Sequence, residues 1–340
     1  METGSEIVLT PILGEMQGGP EVKTSLRVKR YNPEDDERGT YFEEFTVDME
    51  EYNTVLDALI AVREYEDESL AVRCSCRGSI CGSCGIRVNG NGALACKTKI
   101  LSVAPNEEVI TVEPMGNMPV LRDLVTDMTP FWDKLRGVDP WLQVEGPEPE
   151  SEYVAAADAM THLNGVMSCI MCGVCVSDCT SLEVFDQFVG PAALAKAYRF
   201  VADPRDEADL SRLGNLNEPG GIWDCTRCMA CVQVCPKDVA PMERIMKLRD
   251  AAIEAGFNNT PGARHAEVFT EIIKQDGHLD EMMLTVGTIG MFNISRMMSL
   301  LPIAVRALLH GKLPLMYPFT HVVNGMTQIR KIFDHVEAKK

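Results

Sequence analysis

The sequence predicts an α+β chain: a short-stranded N-terminal sheet domain, then a helical domain, then a helical extension. Three observations carry this reading. Between residues 24 and 112 the pattern is short and alternating: Leu26, Val28 and Arg30, then Phe42, Phe45 and Val47, read as two strands. From Leu121 the spacing lengthens to the helical period, with Leu121, Leu124, Val125 and Met128. The thirteen cysteines are clustered, not spread as a disulfide framework would be, and clustering points to metal.

Composition narrows the partners. With 340 residues there is room for two or three domains, each with its own core. A formal charge of -18 repels phosphate backbones and argues against nucleic acid. A membrane span needs about 20 apolar residues in a row. The best candidate, Met282 to Ser295, is 14 uncharged residues that include Asn293 and stop at Arg296. No transmembrane helix is expected, so membrane association is expected to go through another subunit. The opening Met1 to Glu6 shows no export or transit signal, which predicts a cytoplasmic protein.

In chain order, residues 1–22 are rich in Gly and Pro and read as an arm. Residues 23–120 form the sheet domain, beginning with two strands separated by the turn-rich Asn32 to Gly39. Thr54 and Asp57 make a capping-box start to a helix whose Val55, Leu56, Leu59, Ile60 and Val62 fall largely on one face. Then come Cys76, Cys81, Cys84 and Cys96, the CxxxxCxxC plus distant cysteine of plant-type 2Fe-2S proteins. Gly78, Gly82 and Gly85 fit a loop that must turn its amides toward sulfur. Strands Gly85 to Val88 and Val109 to Val112 would close a small ferredoxin-like (β-grasp) sheet. Cys74 is left over and reads as a bystander thiol.

Residues 121–254 form the helical domain, with Gly146, Pro147, Glu148, Pro149 and Glu150 as a turn or short linker within it. It carries Cys169, Cys172, Cys175, Cys179 and then Cys225, Cys228, Cys231, Cys235-Pro236, two CxxCxxCxxxC runs. In such pairs three cysteines hold one cubane and the fourth reaches to the other. The pattern groups Cys169, Cys172, Cys175 with Cys235, and Cys225, Cys228, Cys231 with Cys179. Structural zinc is the alternative, but a doubled run overshoots its need for four ligands. Disulfides cannot bridge neighbouring CxxC cysteines with acceptable geometry. The six histidines stand outside the cysteine motifs. His162, the nearest, reads as structural, and Trp132, Trp141 and Trp223 read as packing, with Trp223 placed to shield a cluster. Residues 255–340 contain no cysteine and many methionines, among them Met282, Met283, Met291, Met297, Met298, Met316 and Met326. They read as amphipathic helices, with punctuation at Pro302, Gly311, Pro314 and Pro318, that dock a partner subunit.

This order of domains resembles the iron-sulfur subunit of succinate dehydrogenase and fumarate reductase. The matching text is Cys76-Arg77-Gly78-Ser79-Ile80-Cys81-Gly82-Ser83-Cys84-Gly85, Asn89-Gly90 and Leu94-Ala95-Cys96. It continues in Leu124-Val125-Thr126-Asp127-Met128-Thr129, Gly190-Pro191-Ala192-Ala193, Tyr198-Arg199-Phe200, Asp203 with Arg205-Asp206, and Cys235-Pro236-Lys237. The resemblance covers roughly residues 24 to 250. It implies an electron wire without a catalytic site of its own. FAD sits in a flavoprotein partner, the 2Fe-2S centre faces it, a 4Fe-4S centre is the middle relay, and the third centre faces quinone or its substitute. Service to another flavin dehydrogenase, or to a thiol-linked fumarate reductase, is the competing assignment.

Two departures from that family stand out. Cys228 occupies a position where most members lack cysteine and hold a 3Fe-4S centre, so a second 4Fe-4S cluster is expected here. After Cys179 stand Thr180 to Val184, and after Cys225 stands Thr226, where relatives with a quinone pocket carry Pro-Trp and His. In the tail, Arg264-His265 with Val268-Phe269, Gly311-Lys312-Leu313-Pro314 and Ile329-Arg330-Lys331-Ile332-Phe333 are similar to the small ferredoxin-like subunit of heterodisulfide reductase. That similarity implies a cysteine-rich partner in place of the usual membrane anchor, in a complex at the cytoplasmic face of the membrane.

Overall fold

A computed structural model describes residues 21–35, 37–147, 149–290, 293–311 and 323–338. Residues 1–20 of the expected arm, Glu148, Met291, Met316, Pro314, Pro318 and all of the Gly311 to Pro314 stretch but Gly311 lie outside them. The chain falls into two compact units. The first comprises residues to 134 with 165–183 and 228–241; the second comprises 135–164, 184–227 and 242 onward.

The first unit is built on a five-stranded mixed sheet in the order β2-β1-β5-β3-β4. Its strands are β1 (Glu21–Arg30), β2 (Tyr41–Glu50), β3 (Gly85–Val88), β4 (Asn91–Leu94) and β5 (Ile110–Glu113). The ten-residue β1 and β2 pair antiparallel from Glu21 with Glu50 to Arg30 with Tyr41, so the strand takes the last two residues assigned to the arm. β1 also pairs parallel with β5. Alternation puts Thr24, Leu26, Val28 and Arg30 inward, where Ile110 and Val112 meet them.

Helix α1 (Val55–Ala61) begins at the predicted Thr54, and the capping box is complete in both directions: Asp57 N donates to Thr54 Oγ1 and Thr54 N donates to Asp57 Oδ2. Val55, Leu56, Leu59 and Ile60 are buried, and the helix runs on through a wider turn to Glu66. Thr54→Ala is expected to cost about 1 kcal/mol in chemical denaturation, the usual worth of an N-cap; a change indistinguishable from zero would mean that the α1 face alone holds the helix start.

The stretch predicted to turn helical at Leu121 does not. A short helix, α2 (Ile100–Val103), precedes a hairpin of β6 (Val120–Arg122) and β7 (Val125–Thr126). Asp123 sits at its turn with φ +45° and is buried. Its carboxylate accepts from Arg30 Nε, Tyr31 N and Ala71 N, and Leu124 N donates to Ala71 O. Those long-range bonds decide the conformation over local spacing, leaving Leu121 exposed and Leu124 buried.

From α3 (Thr129–Arg136) onward the chain is helical: α4 (Val174–Ser177), α5 (Thr180–Val184), α6 (Pro191–Val201), α7 (Asp209–Leu216), α8 (Ala230–Gln233), α9 (Pro241–Glu254), α10 (Pro261–Asp276), α11 (Glu281–Ile289), α12 (Ile294–Leu309) and α13 (Met326–Glu337). In the second unit the buried Arg212 donates to the carbonyls of Val138, Asp139 and Trp141 and to Asp206. Asp203, its side chain wholly buried, takes Arg199 and Arg205; the Arg205 hydrogen bond, against the opposing effect of burial, holds its carboxyl well below the usual range. The family text around Asp203 thus fixes the α6–α7 connection. Trp223 Nε1 donates to Asn217 Oδ1, which also takes Thr260, the N-cap of α10. A Cβ on Gly262 would lie 2.3 Å from Trp223 Cβ, so Trp223 packs against the start of the tail. His162 Nε2 contacts Ala202 O at 2.5 Å, a structural role as expected.

Candidate metal centres

The loop from Cys76 to Cys84 turns its amides onto sulfur. Gly78 N, Ile80 N and Cys81 N donate to Cys76 Sγ at 3.3, 3.4 and 3.3 Å, and Cys76 N donates to Cys81 Sγ at 3.5 Å. Arg77, Ser79 and Gly82 achieve this with φ of +50°, +59° and +75°. Left-handed backbone at a residue with a Cβ costs roughly 1–2 kcal/mol, and strain of that kind is stored where a site needs it. Ser83 Oγ lies 3.1 Å from Cys81 Sγ; this contact, with the amides, brings the Cys81 thiol down to about 6. A thiolate, the form that ligates iron, is thereby present at neutral pH. Cys84 is buried, and burial followed by the neighbouring Cys96 pushes its thiol up.

The first CxxCxxCxxxC run also lies in the first unit. Burial raises the Cys172 thiol to about 11, and the nearby Cys169 and Cys235 add to it. Cys175 is likewise raised well above its ordinary value, by burial and then by Cys172, Cys169, Cys231 and Cys235. Five sulfurs therefore lie close enough that bare thiolates would repel each other, and a cationic iron core would relieve that repulsion. The donor set fits a cluster. Among the described residues no His, Cys, Asp or Glu trio gathers at the spacing of one bound ion, and none of the thirteen cysteines is in a disulfide.

Both runs repeat one backbone signature. Met171 and Gly173 flank Cys172 with φ of +54° and +79°, and Arg227 and Met229 flank Cys228 with +59° and +68°. Three of the four carry side chains and bear the strain. Register-equivalent strain in two unrelated stretches is what a repeated cluster-binding turn produces. Cys74 is half-buried and stands outside these turns.

The first run is seated directly on the sheet. An added Cβ on Gly82 would lie 2.8 Å from Cys172 Cβ and 2.9 Å from its Cα, and one on Gly85 3.2 Å from Cys172 O. Asp178 accepts from Arg87 Nε at 3.1 Å and from Gly92 N at 2.6 Å. Asn117 Nδ2 lies within 2.8 to 3.3 Å of the carbonyls of Val176, Ser177 and Cys179, and Lys97 Nζ donates to Pro236 O. Sequence spacing did not single out Asp178 or Asn117, which clamp this joint from far along the chain.

In the second unit, Arg249 of α9 is buried and donates to the carbonyls of Ile222, Trp223 and Cys225. Burial, with Arg227 adding, lowers it to about 10, so it stays charged at neutral pH. A groove of about 770 Å³ opens beside Cys225, lined by Arg227, Arg249, His265 and Phe269 among others.

A thiolate loop on a mixed sheet, packed against the first of two cubane-type runs, defines an electron-transfer protein with iron–sulfur centres. Comparisons agree. A 2Fe-2S iron-sulfur cluster binding domain matches residues 25–133 and a 4Fe-4S dicluster domain matches residues 165–239. The succinate dehydrogenase iron-sulfur subunit of Coxiella burnetii is 34% identical over 68% of this chain and 97% of its own length. That of Paracoccus denitrificans is 35% identical over 71% of this chain and 94% of its own. A chain of the Mycobacterium smegmatis Sdh1 complex in the apo form shares the fold, with a TM-score of 0.64 at 24% identity over 71% of this chain and 99% of that one. The chain belongs to the family of succinate dehydrogenase iron-sulfur subunits: it is an electron-transfer subunit of a succinate:quinone oxidoreductase.

Proposed function

We propose that this chain carries electrons between the FAD of a flavoprotein partner and an acceptor side built by a membrane anchor or a cysteine-rich subunit, through three centres in line. Cys76, Cys81, Cys84 and Cys96 hold the 2Fe-2S centre toward the flavin. Cys169, Cys172, Cys175 and Cys235 hold the 4Fe-4S relay, and Cys179, Cys225, Cys228 and Cys231 hold the third centre, also 4Fe-4S. When bound, such clusters supply one-electron steps at potentials tuned by charge, hydrogen bonds and exposure. The chain's own residues bear on those terms: the amides of Gly78 and Cys81 donate to Cys76 Sγ, and Cys179 and Cys231 are buried.

The observation that carries the reading is the approach of the Gly82 backbone to Cys172, which brings the two ligand loops of successive centres into contact. The groove beside Cys225 supports an acceptor side at the third centre. No described helix is long and apolar enough to cross a membrane, so the complex would hold this chain peripherally, at the cytoplasmic face. Native purification with the co-purifying subunits identified by mass tests the partners; recovery without a succinate-type flavoprotein would overturn them.

Cluster type has its own test. Anaerobically prepared protein is expected to lack a 3Fe-4S electron paramagnetic resonance signal, and Cys228→Ala to gain one, stoichiometric with the chain, while the 2Fe-2S signal persists. A stoichiometric 3Fe-4S signal before substitution would refute a fourth thiolate ligand at Cys228.

A further inference from the structure

Helix α12 has no buried residue. Ile294, Met298, Leu301, Val305 and Leu308 are all exposed and recur at alternating intervals of four and three positions, so they share one stripe. The half-buried residues, Met297, Leu300, Ala304 and Ala307, form a separate stripe. A helix this apolar is normally covered. Charge indicates by what. No aspartate or glutamate occurs between Glu281 and Asp334, whereas Arg296, Arg306, Lys312, Arg330 and Lys331 do, in a chain whose net charge is -18. Solubility alone would be served equally by the acids that dominate elsewhere. Their exclusion around an exposed apolar stripe matches a surface that is apolar below and anionic above, the boundary of an acidic bilayer. At 16 residues with Pro302 inside, α12 is too short to span one.

We propose that α12 lies in the interface of an anionic lipid membrane, its Ile294 to Leu308 stripe at the acyl boundary and Arg296 and Arg306 among the headgroups. The chain thus has a membrane contact of its own, beyond any made through a partner. The overall negative charge does not prevent this, because fields are screened within about 10 Å at 0.1 M salt and the lipid meets the local cations.

Flotation of the full holoprotein with vesicles of phosphatidylcholine alone, or of equimolar phosphatidylcholine and phosphatidylglycerol, tests it. Binding is expected to the mixed vesicles, weakening with salt. Leu301→Ser with Val305→Ser should lower it by more than about tenfold, since each side chain loses its apolar transfer term. Arg296→Gln with Arg306→Gln should remove the preference for phosphatidylglycerol and leave binding to phosphatidylcholine unchanged. No α12 side chain is buried, so circular dichroism and cluster absorbance should be retained, and the arginine pair stands as a test if the serine pair misfolds. Failure to bind either vesicle, equal binding by the serine variant, or phosphatidylglycerol preference without the arginines would each overturn the proposal. So would self-association, or capture of a protein subunit, abolished by the serine variant in a chain that ignores both vesicles, because a second copy or a partner would then be the cover.

Discussion

Arg30→Met should lower the thermal midpoint of the first unit by about 10 °C, read by far-ultraviolet circular dichroism together with loss of 2Fe-2S absorbance. Arg30 continues the inward phase of β1, with its side chain 5% exposed. It donates to Asp123 Oδ1 at 3.0 Å, to Glu43 and Asp67 at 2.6 Å each, and to Ser69 Oγ at 2.9 Å. The decisive partner is Asp123, whose side chain is 3% exposed. Removing the cation leaves a buried carboxylate without its counter-charge, which costs about 3–5 kcal/mol, against the 5–15 kcal/mol that usually holds a domain. About 2–4 °C per kcal/mol, for a domain of this size, gives the stated shift. Glu43 and Asp67 are more exposed and contribute less. A companion Asp123→Leu should recover part of the loss, since an ion pair replaced whole is often neutral. A midpoint within a degree or two of the parent would show that the amides of Tyr31 and Ala71 suffice for Asp123.

The same cluster sets an acid limit. Burial would raise the Asp67 pKa, but hydrogen bonds from Ser69 and Arg30 outweigh it and bring it to about 2. A group depressed in the folded state contributes stability that is full above its unfolded value of about 3.9 and is lost as pH falls from there through about 2. In Arg30→Met that part of the acid transition should shrink.

Local chemistry was legible in the sequence, and long-range chemistry was not. Thiols that share a cluster recur at fixed short intervals because adjacent irons constrain neighbouring thiolates, so Cys76 to Cys84 and both later runs stood out by spacing as candidate ligands. The Thr54 cap and the β1 and β2 alternation are local in the same sense. The hairpin at Val120 to Thr126 escaped because Leu121, Leu124 and Met128 imitate a helical period, while Asp123 answers to Arg30 and Ala71, far away in sequence. β4 escaped because Asn91-Gly92-Ala93-Leu94 is short and weakly patterned; it is held by β3 and by Asp178 reaching Gly92 N. Asp178, Asn117 and Arg249 carry no motif, since a side chain that clasps remote carbonyls leaves no periodic trace.

Another remote contact, between Gly82 and Cys172, yields the second large effect, in Gly82→Ala. The substitution meets two costs. At φ +75° a residue with a Cβ pays roughly 1–2 kcal/mol. The new Cβ would also stand 2.8 Å from Cys172 Cβ and 2.9 Å from its Cα, where a rigid ligand turn cannot swing aside as a flexible side chain could; such overpacking costs about 1–3 kcal/mol. At 1.4 kcal/mol per decade, the combined cost of about 2–5 kcal/mol should speed loss of the 2Fe-2S centre to a chelator by roughly one and a half to three and a half orders of magnitude. If Cys172 holds the proposed 4Fe-4S centre, the paramagnetic signals of both it and the 2Fe-2S centre should shift, because the clash moves both cysteine loops. Gly90→Ala separates the two costs: Gly90 has φ +82° and nothing within 4 Å of an added Cβ, so it bears the backbone strain without the collision. Equal chelator sensitivity in the two variants would remove the steric argument. Sensitivity confined to Gly82→Ala, with a shifted signal from the second centre, would establish that a glycine is needed where the Cys76 to Cys84 loop meets the Cys172 backbone.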